Sequence, residues 1–338
     1  MATTRLTIAD VASRAGVSVA TVSRVVNGRY GVSPETSSRV REVIDQLGYA
    51  SSLGARSLRS ERTQVIGVLM SRIEPFGVEV LTAVSDELQE SGYELLVYCP
   101  TSEHIGGWER TAVSRLGGTL VDGCILVAPT VVDVSTERPV VAVDPHVDSS
   151  NLPTVIAENH AGAVAATRHL IEIGHRRIGF LGGRSDIQSA RERELGYRFA
   201  LEDAGISVDP ELIQNGDYTD DGAERPARTL LSLPDRPTAI FAANDRSALR
   251  LIEIAHEVGL DVPDALSVVG FDDIPHAALT SPALTTIDQS LRGLGREAIR
   301  ILLDLIAGGA DDAAAPVHRH LPVELVVRDS TAPPRRRQ

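Results

Sequence analysis

Residues 7–28 read TIADVASRAGVSVATVSRVVNG. Thr7 stands three residues before Asp10, the spacing of a capping box, in which a hydroxyl and an acidic side chain close the open amides at a helix start. Ile8, Val11 and Ala12 then make one apolar stripe, and Gly16, which tolerates the left-handed backbone that ends helices, stops it after two turns. Ser18 caps a second short helix at once. Its Val22 and Val26, one turn apart, are expected to face inward, which leaves Val19, Ala20, Ser23, Arg24 and Asn27 on other faces. Further on, VSPETSSRVREVIDQLGY (32–49) supplies a third helix. Ser33 is its N-cap, Pro34 lies in its first turn, and the stripe Val40, Ile44 and Leu47 closes at Gly48. Two short helices joined by a tight turn and braced by a third form a helix-turn-helix, whose second helix can be laid in the major groove of DNA.

Charge supports that reading once it is divided along the chain. The 338 residues carry a net charge of −13, which by itself argues against a nucleic-acid binder. Residues 1–64, however, hold nine arginines against five acidic residues, a balance of +4 that leaves −17 for the remainder. A small basic head on a large acidic body fits a head that meets phosphate and a body that meets something else. With 43% hydrophobic residues the chain is long enough for two or three domains. It shows neither an uninterrupted apolar span nor a secretory signal, so the expected compartment is the cytoplasm, around the nucleoid, with no membrane partner. The two cysteines, Cys99 and Cys124, lie in apolar strand-like runs and read as small buried hydrophobes.

From residue 64 the periodicity changes. VIGVLM, YELLVYC, GCILVAP, VVAVD and TVIAEN are short apolar runs separated by helical segments, the pattern of a parallel sheet covered on both faces. RRIGFLGG, TAIFAAND and LSVVGFDD repeat the theme, alternating with helices near 160–174, 189–205, 222–232 and 245–259. The expected fold class is α/β: a three-helix helix-turn-helix head and a hinge, followed by two doubly wound parallel-sheet lobes. In such sheets polar residues at the carboxyl ends of strands mark a binding crevice. AAND supplies Asn244 and Asp245, GFDD supplies Asp272 and Asp273, and the loop after IGFLGG leads to Ser189, Arg191 and Arg193. Asp245 can equally be a helix cap, and Asp273 can brace its loop.

The head motif, the segment VSPETSSRVREVIDQLGY and the following GARSLRSERTQVIGVLM together resemble the lac-repressor/galactose-repressor family of transcriptional regulators, over about Thr7 to Asp329. The resemblance implies a dimer on a palindromic operator, with an effector-binding core of periplasmic-binding-protein type. It implies base reading by Val19, Ala20 and Arg24. The two apolar side chains suit features such as a thymine methyl, and Arg24 suits a fork onto guanine. Thr7, Ser18, Thr21, Ser23 and Asn27 are candidates for phosphate contacts, with capping as their local alternative. In the hinge, Ala55, Arg56 and Leu58 match the family's DNA-ordered helix, Leu58 being the wedge that enters the minor groove. Ser51-Ser52 and Gly54 lower its intrinsic helicity.

Carried over residue by residue, the ligand contacts are Arg193, Asn244 and Asp272, with Phe76 and Tyr218 as aromatic walls and Leu291 as an apolar wall. The implied boundaries are 1–50 for the head and 51–63 for the hinge, 64–158 with 289–315 for the first lobe, 159–288 with 316–330 for the second, and 331–338 as a disordered tail. The expected function is repression of carbohydrate-utilisation genes under a sugar-like effector, with no cofactor, metal or catalytic residue. A solute-binding protein or a sugar-processing enzyme of similar fold is the alternative. GFLGG matches neither nucleotide-loop pattern, and the histidines show no metal-ligand spacing beyond the pair His318 and His320.

Overall fold

The computed structural model describes residues 6–26, 31–47, 62–100, 107–117, 120–134, 136–147, 151–308 and 316–335. The chain divides into two compact units, 1–63 and 64–338. In the first, α1 (Ile8–Ala15), α2 (Val19–Val26) and α3 (Pro34–Leu47) enclose a small core of Val11, Ala12, Ala15, Val22, Val25, Val40 and Val43. The backbone N–H and the hydroxyl of Thr7 both donate to Asp10 Oδ2 at 2.7 Å, so the box closes at the predicted spacing. Gly16 takes φ 66°, which a side chain would strain. Ser18 Oγ accepts from the Thr21 amide at 3.1 Å, and Ser33 does the same for Thr36. The inward stripe of α2 runs through Val22 and Val25; the expectation for Val26 falls on a side chain outside the described residues.

Among the described residues the second unit holds two parallel sheets and a two-stranded antiparallel one. Strands β1 (Val65–Met70), β2 (Glu94–Tyr98), β3 (Gly123–Val127), β4 (Val140–Val143) and β5 (Thr154–Ala157) alternate with α4 (Pro75–Leu88) and α5 (Trp108–Gly117). The chain then crosses at Glu158 into α6 (Asn159–Glu172), β6 (Ile178–Gly182), α7 (Gln188–Asp203), β7 (Ile213–Asn215), α8 (Asp220–Ser232), β8 (Ala239–Ala242), α9 (Asp245–Glu257) and β9 (Ser267–Val269). After β10 (Thr286–Asp288) it returns as α10 (Leu291–Gly308) and β11 (His318–Leu321), and it crosses a last time to β12 (Glu324–Val326). The first sheet has the order β11-β5-β4-β3-β1-β2 and the second β7-β6-β8-β9, with every neighbouring pair parallel. Strands β1, β3 and β4 are buried along their whole length, as a sheet covered on both faces requires.

α10 packs on α4 in the first lobe, as the crossover pattern predicts. The approach is so close that a Cβ on Gly295 would stand 2.5 Å from the carbonyl oxygen of Val80, so only glycine fits there. β12 joins the second lobe by pairing antiparallel with β10.

Two boundaries differ from the sequence reading. Residues 318–321 belong to the first lobe, since β11 pairs with β5 from His318–Thr154 to Leu321–Ala157, and the lobes therefore divide after residue 321 and not after 315. The tail from residue 331 is not free of the body. Ala332 N–H donates to Ser267 Oγ at 3.0 Å, the Ala332 carbonyl meets His175 Nε2 at 2.9 Å, and Thr331 Oγ1 lies 3.0 Å from His169 Nε2. Half-buried His169 on α6, buried His175 just after it and Ser267 on β9 capture it, contacts that a proline- and arginine-rich composition does not reveal. Residues 336–338 lie outside the described set. Both cysteines are free, and burial pushes the Cys124 thiol up to about 12.

Candidate functional site

On the head, the residues that build α2 sort by face. Val22 and Val25 are buried, whereas Val19, Ala20 and Arg24 are exposed and Thr21 and Ser23 are half-buried. Thr7 and Ser18 are both engaged in helix starts, as their local alternative anticipates. Asn27, Ala55, Arg56 and Leu58 lie outside the described residues.

In the second unit, strand ends from both lobes open onto one cavity of about 70 Å³. The first lobe contributes Glu74, Pro75 and Phe76 at the start of α4, Ala128 after β3, and Asp144 and His146 after β4. The second contributes Ser189 and Arg193 from α7, Tyr218 ahead of α8, Asn244 and Arg246 at the start of α9, and Asp272 and Ile274 after β9. Five of the six sequence-derived contacts therefore meet: Phe76, Arg193, Tyr218, Asn244 and Asp272. Leu291 does not. It is buried in the hydrophobic core, because its side chain heads α10 toward α4 and the strands of the first lobe. Arg191 also turns away, donating to the Ser185 carbonyl.

At the floor, Arg193 is 3% exposed and lies 3.7 Å over the Phe271 ring. Its Nε donates to Asn159 Oδ1 at 2.8 Å, and its Nη1 to the Ala243 carbonyl at 2.5 Å and Asp272 Oδ1 at 3.4 Å. Gln289 Nε2 donates to the same Asp272 oxygen at 2.6 Å. These bonds use Nε and Nη1 of the guanidinium and Oδ1 of the carboxylate, and they set Arg193 and Asp272 side by side in the cavity lining. Burial pushes the Asp272 carboxyl up to about 7 despite Arg193. Burial raises Asp144 as well, again against the pull of Arg193, and it lowers His146 against the pull of Asp144. The Tyr218 hydroxyl and His146 Nδ1 are buried without a hydrogen-bond partner, and Ser189 stands beside the former outside bonding geometry. Unmet polar atoms facing a shared space are the groups a polar ligand would satisfy.

The cap of α9 is Asn244, which also lines the cavity, and not Asp245. Asn244 caps α9, with Oδ1 accepting from Ser247 N at 3.1 Å and Nδ2 donating to the Tyr218 carbonyl at 3.1 Å. Asp245 is fully buried beneath the floor, where it accepts from the Thr286 hydroxyl at 2.5 Å and from Ile274 N at 2.9 Å. It thereby anchors the loop that carries Asp272. Asp273 braces that loop through Arg328 at 2.7 Å. Ala128, Asp144, Tyr218 and Asp272, all lining the cavity, have positive φ (47°, 46°, 69° and 123°) although none is glycine. Backbone strain gathered at one place is held there by the surrounding structure and marks a functional surface. Sequence matching missed Glu74, Asp144, His146 and Arg246 because strand-end position alone does not say which side chains turn inward.

Among the described residues no cluster of acidic, histidine or cysteine side chains could hold a metal, and no helix is long and apolar enough to cross a membrane.

A three-helix helix-turn-helix head, followed by a two-lobed core around a polar cavity, is the architecture of a DNA-binding regulator that carries an effector-binding domain. Comparison with known proteins agrees. Residues 7–52 match the bacterial regulatory proteins of the lacI family, and residues 167–331 match the periplasmic binding protein-like domain. The chain is 35% identical over 308 residues to the HTH-type transcriptional repressor PurR of Aliivibrio salmonicida (strain LFI1238), covering 89% of this chain and 92% of that protein. It is 37% identical over 316 residues to PurR of Pectobacterium carotovorum subsp. carotovorum (strain PC1), covering 91% and 92%. Among solved structures it resembles the transcriptional regulator CelR in complex with cellobiose (TM-score 0.71, 34% identity, 96% of this chain and 100% of that one). It also resembles the lac repressor dimer bound to operator and the anti-inducer ONPF (TM-score 0.80, 29% identity, 97% and 100%). The chain belongs to the lacI family: it is a DNA-binding transcriptional repressor with an effector-binding domain, and its relatives are repressors, not enzymes.

Proposed function

We propose that this repressor acts as a homodimer on a palindromic operator, reading bases through Val19, Ala20 and Arg24. Its operator affinity is set by a small uncharged sugar held between the lobes. The observation that carries the ligand class is the cavity lining, in which the adjoining Arg193 and Asp272 share one space with Asp144 and Glu74. Carboxyl groups offer acceptor oxygens, and an O–H donor as well where burial keeps the proton, so this lining suits a ligand with vicinal hydroxyls that each donate and accept. Phe76 and Tyr218 offer ring faces to the apolar side of a pyranose.

A purine effector is the second reading, favoured by the similarity to the PurR repressors, since the same two rings can stack on a base and the floor pair can meet an N–H/C=O edge. A thermal-shift screen separates the two. A panel of pentoses, hexoses and disaccharides is run against hypoxanthine, guanine and adenine, with the expectation that a sugar at 100 times its dissociation constant adds about 2.7 kcal/mol of stability. A shift with a nucleobase and none with any sugar replaces the first reading with the second. The active compound is then carried into operator gel shifts, which read the sign of the response.

A further inference from the structure

Glu74 and Arg246 come from different lobes and meet across the cavity, Arg246 Nη1 to Glu74 Oε2 at 3.1 Å. Arg246 is held from its own lobe by Asp220, with Nη2 2.8 Å and Nε 3.2 Å from the two carboxylate oxygens. The position of the pair is set by depth. The Glu74 and Arg246 side chains are 36% and 23% exposed, against 3% and 9% for Arg193 and Asp272 at the floor, so the pair spans the solvent end of the cavity. Neither charge is there for its own helix. Glu74 is the N-cap residue of α4, yet its side chain makes no capping bond, and Arg246 lies in the first turn of α9, where a cation opposes the helix dipole. A backbone bond from Gln188 N–H at the start of α7 to the His146 carbonyl, 2.9 Å, joins the same two lobes.

We propose that Glu74, Arg246 and Asp220 form an ionic latch across the mouth of the cavity, which opens to admit or release the effector and closes over it. The proposal rests on the cavity being the effector site, and it adds a regulator of access to that site. Joined, Glu74 and Arg246 narrow the passage that both line, and Asp220 restrains the arginine there. Ion-pair strength therefore sets the rate at which the floor meets solvent, and salt, which screens partly exposed charges, speeds it.

The test requires no effector. In the full chain, Ser189 at the buried floor is replaced by cysteine and Cys99 by serine, and alkylation by iodoacetamide is timed. With the latch intact labelling is slow, and it quickens on raising sodium chloride from about 0.05 to 1 M, over which the screening length falls from beyond 10 Å to about 3 Å. Glu74→Gln and Arg246→Gln each quicken it about two- to five-fold at low salt, the range open to a partly exposed ion pair, and abolish the salt effect. The double variant is no faster than either single one. Equal rates in all four proteins, additive effects in the double variant, or a salt response that survives Arg246→Gln would overturn the latch. The salt arm needs no latch substitution, so the proposal stays testable if a variant fails to fold. Because only iodoacetamide enters the cavity, a failed latch and a failed effector reading give separate results.

Discussion

Replacing Asp272 by asparagine separates what this carboxylate does for the ligand from what it costs the fold. The substitution preserves shape. An amide oxygen can still accept from Gln289 Nε2 and Arg193 Nη1, now at 2.6 and 3.4 Å from Asp272 Oδ1. It removes a group whose ionisation burial opposes, the folded-state pKa being pushed from 3.8 up to about 7. Between those values the folded chain keeps a proton that the unfolded chain releases. The stabilisation this gives is complete below the unfolded value and is lost as pH rises through about 7. The interval is worth on the order of 4 kcal/mol. Asp272→Asn should thus match the parent near pH 4 and exceed it in stability by up to about that amount at pH 8. For a unit of this size the difference amounts to roughly 8 to 16 °C in Tm. Calorimetric melts of both proteins from pH 4.5 to 8 measure it. Only their difference is informative, because His146, His169 and His175, whose pKa values are lowered by burial, act in the opposite direction in both. The same substitution removes a charge-assisted acceptor and should weaken the effector by about 1.5–3 kcal/mol, roughly 10- to 150-fold. A difference in Tm that is flat with pH, or a variant less stable than the parent at pH 8, would refute the argument that Asp272 is an ionisable group kept for its ligand at the expense of the fold.

Arg193→Ala should behave differently, losing about 3–5 kcal/mol in chemical denaturation because it strands the Asp272 carboxyl, Asn159 Oδ1 and the Ala243 carbonyl in a buried place; a loss below 1 kcal/mol would mean that water takes over its bonds. On the head, Arg24→Ala should cost about 1–3 kcal/mol on operator and flatten discrimination at one base pair per half-site in a binding-site selection, whereas equal weakening on specific and random DNA would make Arg24 a phosphate contact.

What local pattern could specify was legible without coordinates. The caps at Thr7, Ser18 and Ser33, the stop at Gly16 and the apolar runs of β1, β3, β4, β6 and β8 rest on contacts within a few residues or on a period of 2 or 3.6. Such order is written consecutively in the chain. The convergence of Arg193, Asn244 and Asp272 was also accessible, because strand ends in doubly wound sheets point to one side. Tertiary structure decided the rest. Asn244 rather than Asp245 became the cap because Asp245 met Thr286, 41 residues on, and Ile274. β11 went to the first lobe because its pairing partner is β5, 164 residues earlier at His318–Thr154. Leu291 entered the core, the tail docked on His175 and Ser267, and Glu74 met Arg246 across 172 residues. Each of these outcomes depends on which distant side chain arrives opposite, and no local periodicity encodes that, since a charge or an amide has the same sequence signature whether it faces solvent, a helix end or the opposing wall of a cleft.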